Sequence, residues 1–336
     1  MLTFSARSEC RPGEQWRERF LGQREVYRRW YLGAGEAARP PLEVCEAKLA
    51  QYMPELVPIH RQLVELAGGD ELDARMLSLY DPPPFITGCS QAAWVRGTPV
   101  LIRTYDYPIS RLEGVLVQTA WSGRRVIGMS DCMWGLLDGV NDAGLAVSLT
   151  FGGRTASGEG FAIPLVLRYM LETCASVEEA CAVLARVPVH ASQNISLVDR
   201  TGDYMTAYVA PDRPLRLVKT PVTTNHQGTV EWPEYEHVVH SVDRESCLLG
   251  LIADPTMTAE RLQDAFRKPP IHSSGYRAGT GTLYTASYYP GEGRAEIRWP
   301  SGEQWTQSFD SFVALEHTEI YDAAADDAPA TYGMAV

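Results

Sequence analysis

The chain has 336 residues, and its 42 acidic and 30 basic side chains give a formal net charge of −12. This length fits one large domain or two ordinary ones, and 45% hydrophobic residues predict a globular protein with an apolar core. The acidic balance and the lack of a basic block argue against nucleic-acid binding. Without a run of about 18 apolar residues or a signal-peptide pattern, we expect a cytoplasmic protein that does not enter a membrane.

Cysteine and histidine spacing argues against disulfides and metal sites. Seven cysteines at wide spacings, with no CxxC pair, favour neither a disulfide framework nor a zinc knuckle. The histidines at 226, 237 and 240 lack the tight spacing of metal ligands. Nucleotide-binding and metalloprotease motifs are also missing from the sequence. We therefore expect no metal and no cofactor.

The first part of the chain is predicted to be helical. Apolar residues recur with helical spacing over 12–32 and 42–67, and Pro54 and Pro58 kink or divide the second stretch. The sequence DPPPF at 81–85 ends this helical part.

The remainder is predicted to alternate between strands and helices. Segments rich in Val, Ile, Thr and Tyr, bounded by turn residues, predict antiparallel strands at 90–97, 99–105, 114–121, 124–129 and 144–150. Helices are expected from about 162 and from Ser176, and later near 234–250 and 258–267. Further strands are expected near 193–199, 203–210, 215–224 and around 281–298. This order indicates an α+β fold with antiparallel sheets, and 321–336 is predicted to be an acidic flexible tail.

The dipeptide Gly88-Cys89 lies where the helical part ends and the first strand of this series begins. A thiol at this position can attack the carbonyl carbon of Gly88, and hydrolysis of the resulting thioester would release residues 1–88. The new N-terminal Cys89 would then carry a nucleophile and a base, because an α-amine of pKa about 7.7–8.0 can accept the thiol proton. On its own the dipeptide is weak evidence, since a lone cysteine is most often a buried hydrophobic residue.

Polar motifs downstream of Cys89 strengthen this hypothesis. They are Arg103-Thr-Tyr-Asp106, Asp138-Gly-Val-Asn141, Ser148-Leu-Thr-Phe151, Asn194, Asn225-His226 and Ser241-Val-Asp-Arg244. In this order they resemble the N-terminal-nucleophile hydrolases of the choloylglycine hydrolase and penicillin V acylase group. The resemblance is closer to the isopenicillin N acyltransferase branch, whose precursor carries a helical leader of comparable size before the cysteine.

The resemblance implies a four-layer αββα sandwich with antiparallel sheets. It implies a helical leader at 1–88, which stays bound as a small subunit if it is cleaved, and a catalytic domain at 89–320. The reaction it implies is acyl transfer from a small-molecule amide or thioester to water or an amine through an S-acyl-Cys89 intermediate. A homo-oligomer remains open.

The same resemblance assigns roles around the nucleophile. Cys89 would be the nucleophile, and Asp106 would hydrogen-bond and orient its amine. Arg103 would lie beside the thiol and lower its pKa, because a fixed cation favours the thiolate. Read without the resemblance, Arg103 and Asp106 also fit a surface ion pair.

Four further residues complete the predicted site. Asn225 and a backbone N–H near Phe151 would stabilise the oxyanion, each donor being worth roughly 3–4 kcal/mol. Arg244 would support the site electrostatically, and Asn194 has a secondary role. Arg244 also fits an ion pair with a neighbouring acidic residue, and Asn194 also fits a bond to strand backbone.

Two other hypotheses remain open from the sequence. One is a cysteine hydrolase or thioesterase that is never cleaved, and the other is a catalytically silent member that binds a small ligand. The short interval from Asn225 to Arg244 argues against a bile-salt substrate. The sequence leaves β-lactam side chains, N-acyl amino acids and acylated peptides open as substrates.

Overall fold

In a computed structural model, which describes residues 1–322, the chain folds into two β-sheets with helices on their outer faces. The strands of these residues are β1 (Leu2–Glu9), β2 (Gln91–Trp94), β3 (Val100–Asp106), β4 (Val115–Thr119), β5 (Val126–Asp131), β6 (Gly135–Asn141), β7 (Leu145–Phe151), β8 (Gln193–Asp199), β9 (Tyr204–Ala210), β10 (Arg213–Val218), β11 (Val222–Thr223), β12 (Thr282–Tyr289), β13 (Arg294–Arg298), β14 (Gln304–Ser308) and β15 (Leu315–Glu319). The helices are α1 (Glu14–Tyr31), α2 (Leu42–Tyr52), α3 (Val57–Ala67), α4 (Glu71–Leu77), α5 (Ile163–Thr173), α6 (Val177–Arg186), α7 (Pro233–Val239), α8 (Ser241–Ala253) and α9 (Ala259–Ala265).

The larger sheet has nine strands in the order β10-β9-β8-β7-β6-β5-β4-β1-β15, and the smaller has six in the order β11-β2-β3-β12-β13-β14. Neighbouring strands pair antiparallel, except that β1 runs parallel to β4. The inner faces of the two sheets touch: Arg103 of β3 donates to the carbonyl of Leu137 in β6 at 3.0 Å, and Tyr284 of β12 donates to Asp138 at 2.8 Å. The candidate residues Arg103 and Asp106 on β3 therefore lie on the smaller sheet, beside the larger one.

Helices cover both outer faces. On the larger sheet, α5 contacts β6 so closely that a Cβ on Gly139 would lie 2.9 Å from a methyl carbon of Leu171. On the smaller sheet, Leu248 of α8 and Leu262 of α9 pack in one cluster with Ile102 of β3. Burial of these apolar faces on opposite sides of the stacked sheets gives the αββα architecture and confirms the predicted fold class.

The helices predicted for the leader are present as α1, α2 and α3, and a short 3-10 turn at Pro54–Leu56 separates the last two, where prolines were expected to divide them. The sequence analysis missed β1, which precedes α1 and lies between β4 and β15 in the larger sheet. Residues 1–88 are thus not purely helical, because one of their segments forms a strand inside the larger sheet.

Three further strands were missed, namely β6, β14 and β15. The predicted tail at 321–336 begins too early, because Tyr321 is buried and its hydroxyl donates to the carbonyl of Leu283 at 2.8 Å. Residues 323–336 of that predicted tail lie outside the described residues. Within the described part, no helix is long and apolar enough to cross a membrane.

Candidate active site

The backbone around Cys89 is held in place by the smaller sheet. Gly88 and Asp106 exchange two backbone hydrogen bonds of 2.8 Å, which places the end of the leader beside the last residue of β3. The contact favours a glycine, because a Cβ on Gly88 would lie 3.0 Å from the Cβ of Asp106, which is a tight approach. Cys89 follows directly, is fully buried and precedes the pairing of Gln91 with Arg103.

Arg103 contacts the thiol of Cys89 directly. Its Nη2 donates to Sγ of Cys89 at 2.9 Å, and its Nη1 donates to the carboxylate of Asp138 at 2.8 Å. All three side chains are fully buried. Asp138 also accepts hydrogen bonds from the hydroxyls of Tyr284 and Tyr288, so the fork of the guanidinium is fixed by a complete polar network.

The net pKa shift of Cys89 runs opposite to the expected lowering. Burial raises the pKa of the Cys89 thiol, whereas Arg103 lowers it and Asp106 raises it further. Desolvation outweighs the lowering effect of Arg103 on the pKa of this thiol. The buried thiol is therefore protonated near neutral pH before any cleavage.

Asn225 connects the backbone on both sides of Gly88. Its Oδ1 accepts from the backbone N–H of Cys89 at 3.0 Å. Its Nδ2 donates to the carbonyls of Thr87 at 3.2 Å and Phe151 at 3.1 Å. Phe151, predicted to supply a nearby backbone N–H, thus also presents its carbonyl to Asn225.

Arg244 lies on α8 and reaches the same place. Its Nη2 donates to Oδ1 of Asn225 at 2.7 Å, and its Nη1 donates to the carbonyl of Cys89 at 2.7 Å. Two donors on Oδ1 and two carbonyl acceptors on Nδ2 leave one consistent orientation for the Asn225 amide. Arg244 therefore orients a neighbouring side chain, which is more specific than general electrostatic support.

Asp106 is buried beside this group. Its Oδ2 lies 3.6 Å from Nη1 of Arg244, and its Oδ1 accepts from the hydroxyl of Thr282 at 2.7 Å. Burial raises the pKa of the Asp106 carboxyl, and Arg244 and Thr282 oppose that rise. The ion pair that sequence reasoning also allowed between Arg103 and Asp106 is not the arrangement seen, since Arg103 pairs with Asp138.

Asn194 is placed behind the site. Its Nδ2 donates to the carbonyls of Thr224 at 2.8 Å and His226 at 3.0 Å, which flank Asn225 in the chain. It thereby fixes the segment that carries Asn225. Asn141, left outside the site, instead binds the end of α5 through the carbonyls of Leu171 and Cys174.

Three residues of this arrangement were not identified from the sequence: Asp138 as the partner of Arg103, Thr282 as the donor to Asp106, and Tyr235 as a donor to Thr87. The sequence offered a signal for the first two, because Asp138 begins one of the polar motifs downstream of Cys89 and Thr282 begins the strand predicted around 281–298. Tyr235, on α7, carried none. No group of His, Cys, Asp and Glu side chains arranged to hold a metal occurs among residues 1–322.

The two stacked antiparallel sheets lie between layers of helices, and the buried Cys89 directly precedes the β2–β3 hairpin of the smaller sheet. This architecture is that of the N-terminal-nucleophile hydrolase fold. The model of the family described as acyl-coenzyme A:6-aminopenicillanic acid acyl-transferase matches residues 94–304, more than half of the chain. The chain belongs to this family, a branch of the N-terminal-nucleophile hydrolases. It is therefore an enzyme of the acyltransferase or amidase type.

Several solved structures are similar at low identity. Penicillin V acylase from Agrobacterium tumefaciens is 14% identical, with a TM-score of 0.47 over 66% of this chain and 86% of that one. A mutant of conjugated bile acid hydrolase from Clostridium perfringens is 13% identical, with a TM-score of 0.43 over 69% and 97%. An N-acylethanolamine-hydrolyzing acid amidase ortholog from Caenorhabditis elegans is 15% identical, with a TM-score of 0.44 over 61% and 93%. No curated protein matches the chain.

Proposed function

We propose that the chain cleaves itself between Gly88 and Cys89 and then acts as a cysteine acyltransferase or amidase on small acyl amides or acyl thioesters. The observation that carries this proposal is that Sγ and the backbone nitrogen of Cys89 are each held by a different side chain. Arg103 Nη2 lies 2.9 Å from Sγ of Cys89, and Asn225 Oδ1 lies 3.0 Å from its backbone nitrogen. A nucleophile whose own nitrogen becomes the base needs both atoms to be fixed.

Self-cleavage begins when Sγ of Cys89 attacks the carbonyl carbon of Gly88. Negative charge then develops on the Gly88 oxygen, which already accepts the backbone N–H of Asp106 at 2.8 Å. Breaking the Gly88–Cys89 C–N bond transfers a proton to the departing nitrogen and leaves a thioester. Water hydrolyses that thioester, so Gly88 gains a carboxylate and Cys89 regains its thiol.

Turnover uses the amine that self-cleavage creates. The amine takes the thiol proton, Arg103 stabilises the thiolate, and the thiolate attacks the acyl carbon of the substrate. The amine or thiol leaving group then takes the proton from the ammonium, and water or an acceptor amine attacks the acyl-Cys89 thioester. Asp106, whose Oδ2 lies 3.6 Å from Nη1 of Arg244, would stabilise the ammonium form with its carboxylate.

The complete burial of Cys89 supports the processed enzyme over a thiol hydrolase that works as an intact chain. A substrate cannot reach a fully buried sulfur, and the raised pKa of the Cys89 thiol disfavours the reactive thiolate. Departure of the leader end would expose the sulfur and also remove part of its desolvation.

We further propose that residues 1–88 stay bound after cleavage. Strand β1 pairs on one side with β4 and on the other with β15. The indole of Trp16 also donates to the carbonyl of Met133 at 3.1 Å, and Glu55 accepts from Tyr169 at 2.8 Å. Removing this segment would expose the sheet edge and much of the apolar core, which is costly.

Intact-mass spectrometry of freshly purified protein tests the proposal. We expect the wild type to give two polypeptides, residues 1–88 and 89–336, which elute together on a sizing column without denaturant. The Cys89→Ala variant should give one chain, whereas a Cys247→Ala control, whose thiol lies on α8, should cleave like the wild type. A wild type that remains a single 37.2 kDa species for days would overturn the self-cleaving mechanism.

A further inference from the structure

The carbonyl of Thr87, one residue before the proposed cleavage point, has two side-chain donors. The hydroxyl of Tyr235 lies 2.6 Å from this oxygen, and Nδ2 of Asn225 lies 3.2 Å from it. Both donors are at least nine-tenths buried. Two converging neutral donors form a site for a carbonyl oxygen, and they are most effective where negative charge develops on that oxygen.

This oxygen is not the one that reacts in self-cleavage. The Gly88 oxygen carries the charge in that step, and its donor is the backbone N–H of Asp106. The pair formed by Asn225 and Tyr235 therefore faces a carbonyl that does not react in the intact chain. In the intact chain the two donors hold the end of the leader through the Thr87 carbonyl, and they become available to another acyl group once that carbonyl leaves.

The donor pair is tied to the nucleophile through Asn225. The Oδ1 of that amide accepts from the nitrogen of Cys89 at 3.0 Å and from Arg244 at 2.7 Å. The Nδ2 must then point away from these donors, toward the Thr87 oxygen. The Asn225 amide thus links the Cys89 nitrogen, which would become the base, to the site occupied by the Thr87 carbonyl oxygen.

Tyr235 is held in position by aromatic contacts. Its ring meets Phe151 edge-on at 5.3 Å between centroids and stacks on Trp232 at 5.3 Å. Burial raises the pKa of the Tyr235 hydroxyl well above its ordinary value, so it stays protonated and can donate. The leader residue Ile86 packs against this same cluster.

We propose that Tyr235 is a catalytic residue: with Asn225 it binds the carbonyl oxygen of the acyl substrate, and in the intact chain Thr87 fills this site as a substrate mimic. This inference rests on the proposed function. Departure of the leader end frees the Tyr235 hydroxyl, the Asn225 Nδ2 contact to Thr87 and the apolar surface under Ile86, while Nδ2 keeps its bond to the Phe151 carbonyl. The site then accepts an acyl group that has an apolar portion near its carbonyl.

The Cys89 thiolate forms a C–S bond to the substrate carbonyl carbon, and the carbonyl electron pair moves to the oxygen bound by Tyr235 and Asn225. Collapse of this oxyanion restores the C=O bond and breaks the bond to the leaving amine. That amine takes the proton that the Cys89 ammonium holds.

The test uses N-acetyl-Ile-Thr-aldehyde, whose carbonyl copies that of Thr87 and forms a hemithioacetal with a cysteine. The aldehyde protects Cys89 from alkylation by iodoacetamide, and this protection gives an inhibition constant for the aldehyde. We compare that constant between the processed wild type and processed Tyr235→Phe. Removing one donor to a developing charge should weaken the aldehyde by at least about tenfold. The direct rate of alkylation, which forms no oxyanion, should stay within about twofold.

The matched control is Tyr321→Phe, which also removes a tyrosine bond to a backbone carbonyl, of 2.8 Å to Leu283, away from the donor pair. Unchanged aldehyde inhibition in a processed Tyr235→Phe protein would overturn the inference and leave the proposed function standing. The inference is equally overturned if the processed wild type alkylates but ignores the aldehyde. A wild type that is never processed would instead remove the proposed function on which the inference rests.

Discussion

The guanidinium of Arg103 joins the sulfur of Cys89 to a buried carboxylate, with 2.9 Å between Nη2 and Sγ. Its second nitrogen, Nη1, donates to Asp138 at 2.8 Å and to the carbonyl of Leu137 at 3.0 Å. A planar fork can satisfy these partners together, whereas a lysine ammonium is a point charge on a flexible chain. The position of the cation beside the thiol therefore depends on the shape of arginine as well as on its charge.

Arg103→Lys should slow self-cleavage by about tenfold or more, because the ammonium cannot reach Sγ and Asp138 in the same geometry. Mass spectrometry of samples taken during cell-free synthesis follows the intact chain and its two products. Arg168→Lys is the control, since Arg168 forms a similarly buried pair with Glu172 at 2.7 Å. Equal cleavage rates in the wild type and Arg103→Lys would remove the assigned role.

Thr282→Val should move the acid limb of amide hydrolysis by the processed enzyme to higher pH. Burial raises the pKa of the Asp106 carboxyl, and the hydroxyl of Thr282, 2.7 Å from Oδ1, lowers it. Loss of that donor raises the pKa further, so the ionised form that holds the Cys89 ammonium is reached only at higher pH. The measurement is kcat/KM against pH.

Thr173→Val provides the comparison for that experiment, because its hydroxyl donates to the carbonyl of Tyr169 within α5, away from Cys89. Its pH profile should match that of the wild type. An acid limb that stays in place, or moves to lower pH, in Thr282→Val would contradict the orienting role of Asp106.

Much of the site could be predicted because its residues belong to ordered strands and short motifs. Arg103 lies on a predicted strand and Asp106 directly follows its predicted end, while Asn225 and Arg244 carry the resemblance to a known family. The structure brings Arg103, Asn225 and Arg244 to Cys89, and it brings Asp106 to Gly88. Tyr235 could not be predicted in this way. Its bond to Thr87 spans 148 positions in sequence and depends on how α7 packs over Phe151.

The strands that were missed also have physical reasons. Strand β1 is stabilised by β15, more than 300 positions away, so little in the local pattern announces it. Strand β6 contains two glycines and two polar residues that resemble a turn. Its Gly139 lies opposite Gly128 of β5, and a Cβ on Gly139 would lie 2.7 Å from the carbonyl oxygen of Ile127. A close approach of two backbones, which sequence alone does not reveal, explains these glycines.

Acid should destabilise the intact fold through His190. Burial lowers the pKa of this histidine to about 4, although its Nδ1 bonds the carbonyl of Phe161 at 3.2 Å. A base whose pKa is lowered by folding favours the folded state above its unfolded pKa of about 6.5, and this contribution is lost as pH falls toward 4. The shift corresponds to about 3 kcal/mol.

The check is urea unfolding of non-cleaving Cys89→Ala, with and without His190→Gln, at pH 7 and pH 4. The loss of unfolding free energy on acidification should be smaller by about 1 kcal/mol or more in the His190→Gln protein, because glutamine does not titrate. His240→Gln, with its exposed ring, should behave like the parent. Identical acid losses in all three proteins would assign the acid lability to other groups.

Gly88→Ala should separate self-cleavage from folding. The added Cβ would lie 3.0 Å from the Cβ of Asp106 and 3.4 Å from its Oδ2, so residue 88 and Asp106 must shift apart by a few tenths of an ångström. That shift moves the carbonyl carbon relative to Sγ, and a displacement of about 1 Å can cost about a hundredfold in rate. For this smaller shift we expect cleavage to be slowed by up to about tenfold in time courses of the intact mass.

The Gly250→Ala variant is the matched control for this experiment, since a Cβ at that position of α8 would meet no atom within 4 Å. It should cleave at the wild-type rate and gain about 0.5–1 kcal/mol in unfolding free energy, because alanine is the better helix former. Wild-type cleavage in Gly88→Ala would mean that the backbone pairing with Asp106 does not set the position of the reacting carbonyl. Stability is measured separately, by adding Gly88→Ala to the non-cleaving Cys89→Ala protein. If Gly88→Ala slows cleavage but leaves the urea midpoint of that protein unchanged, the effect lies in the geometry of attack.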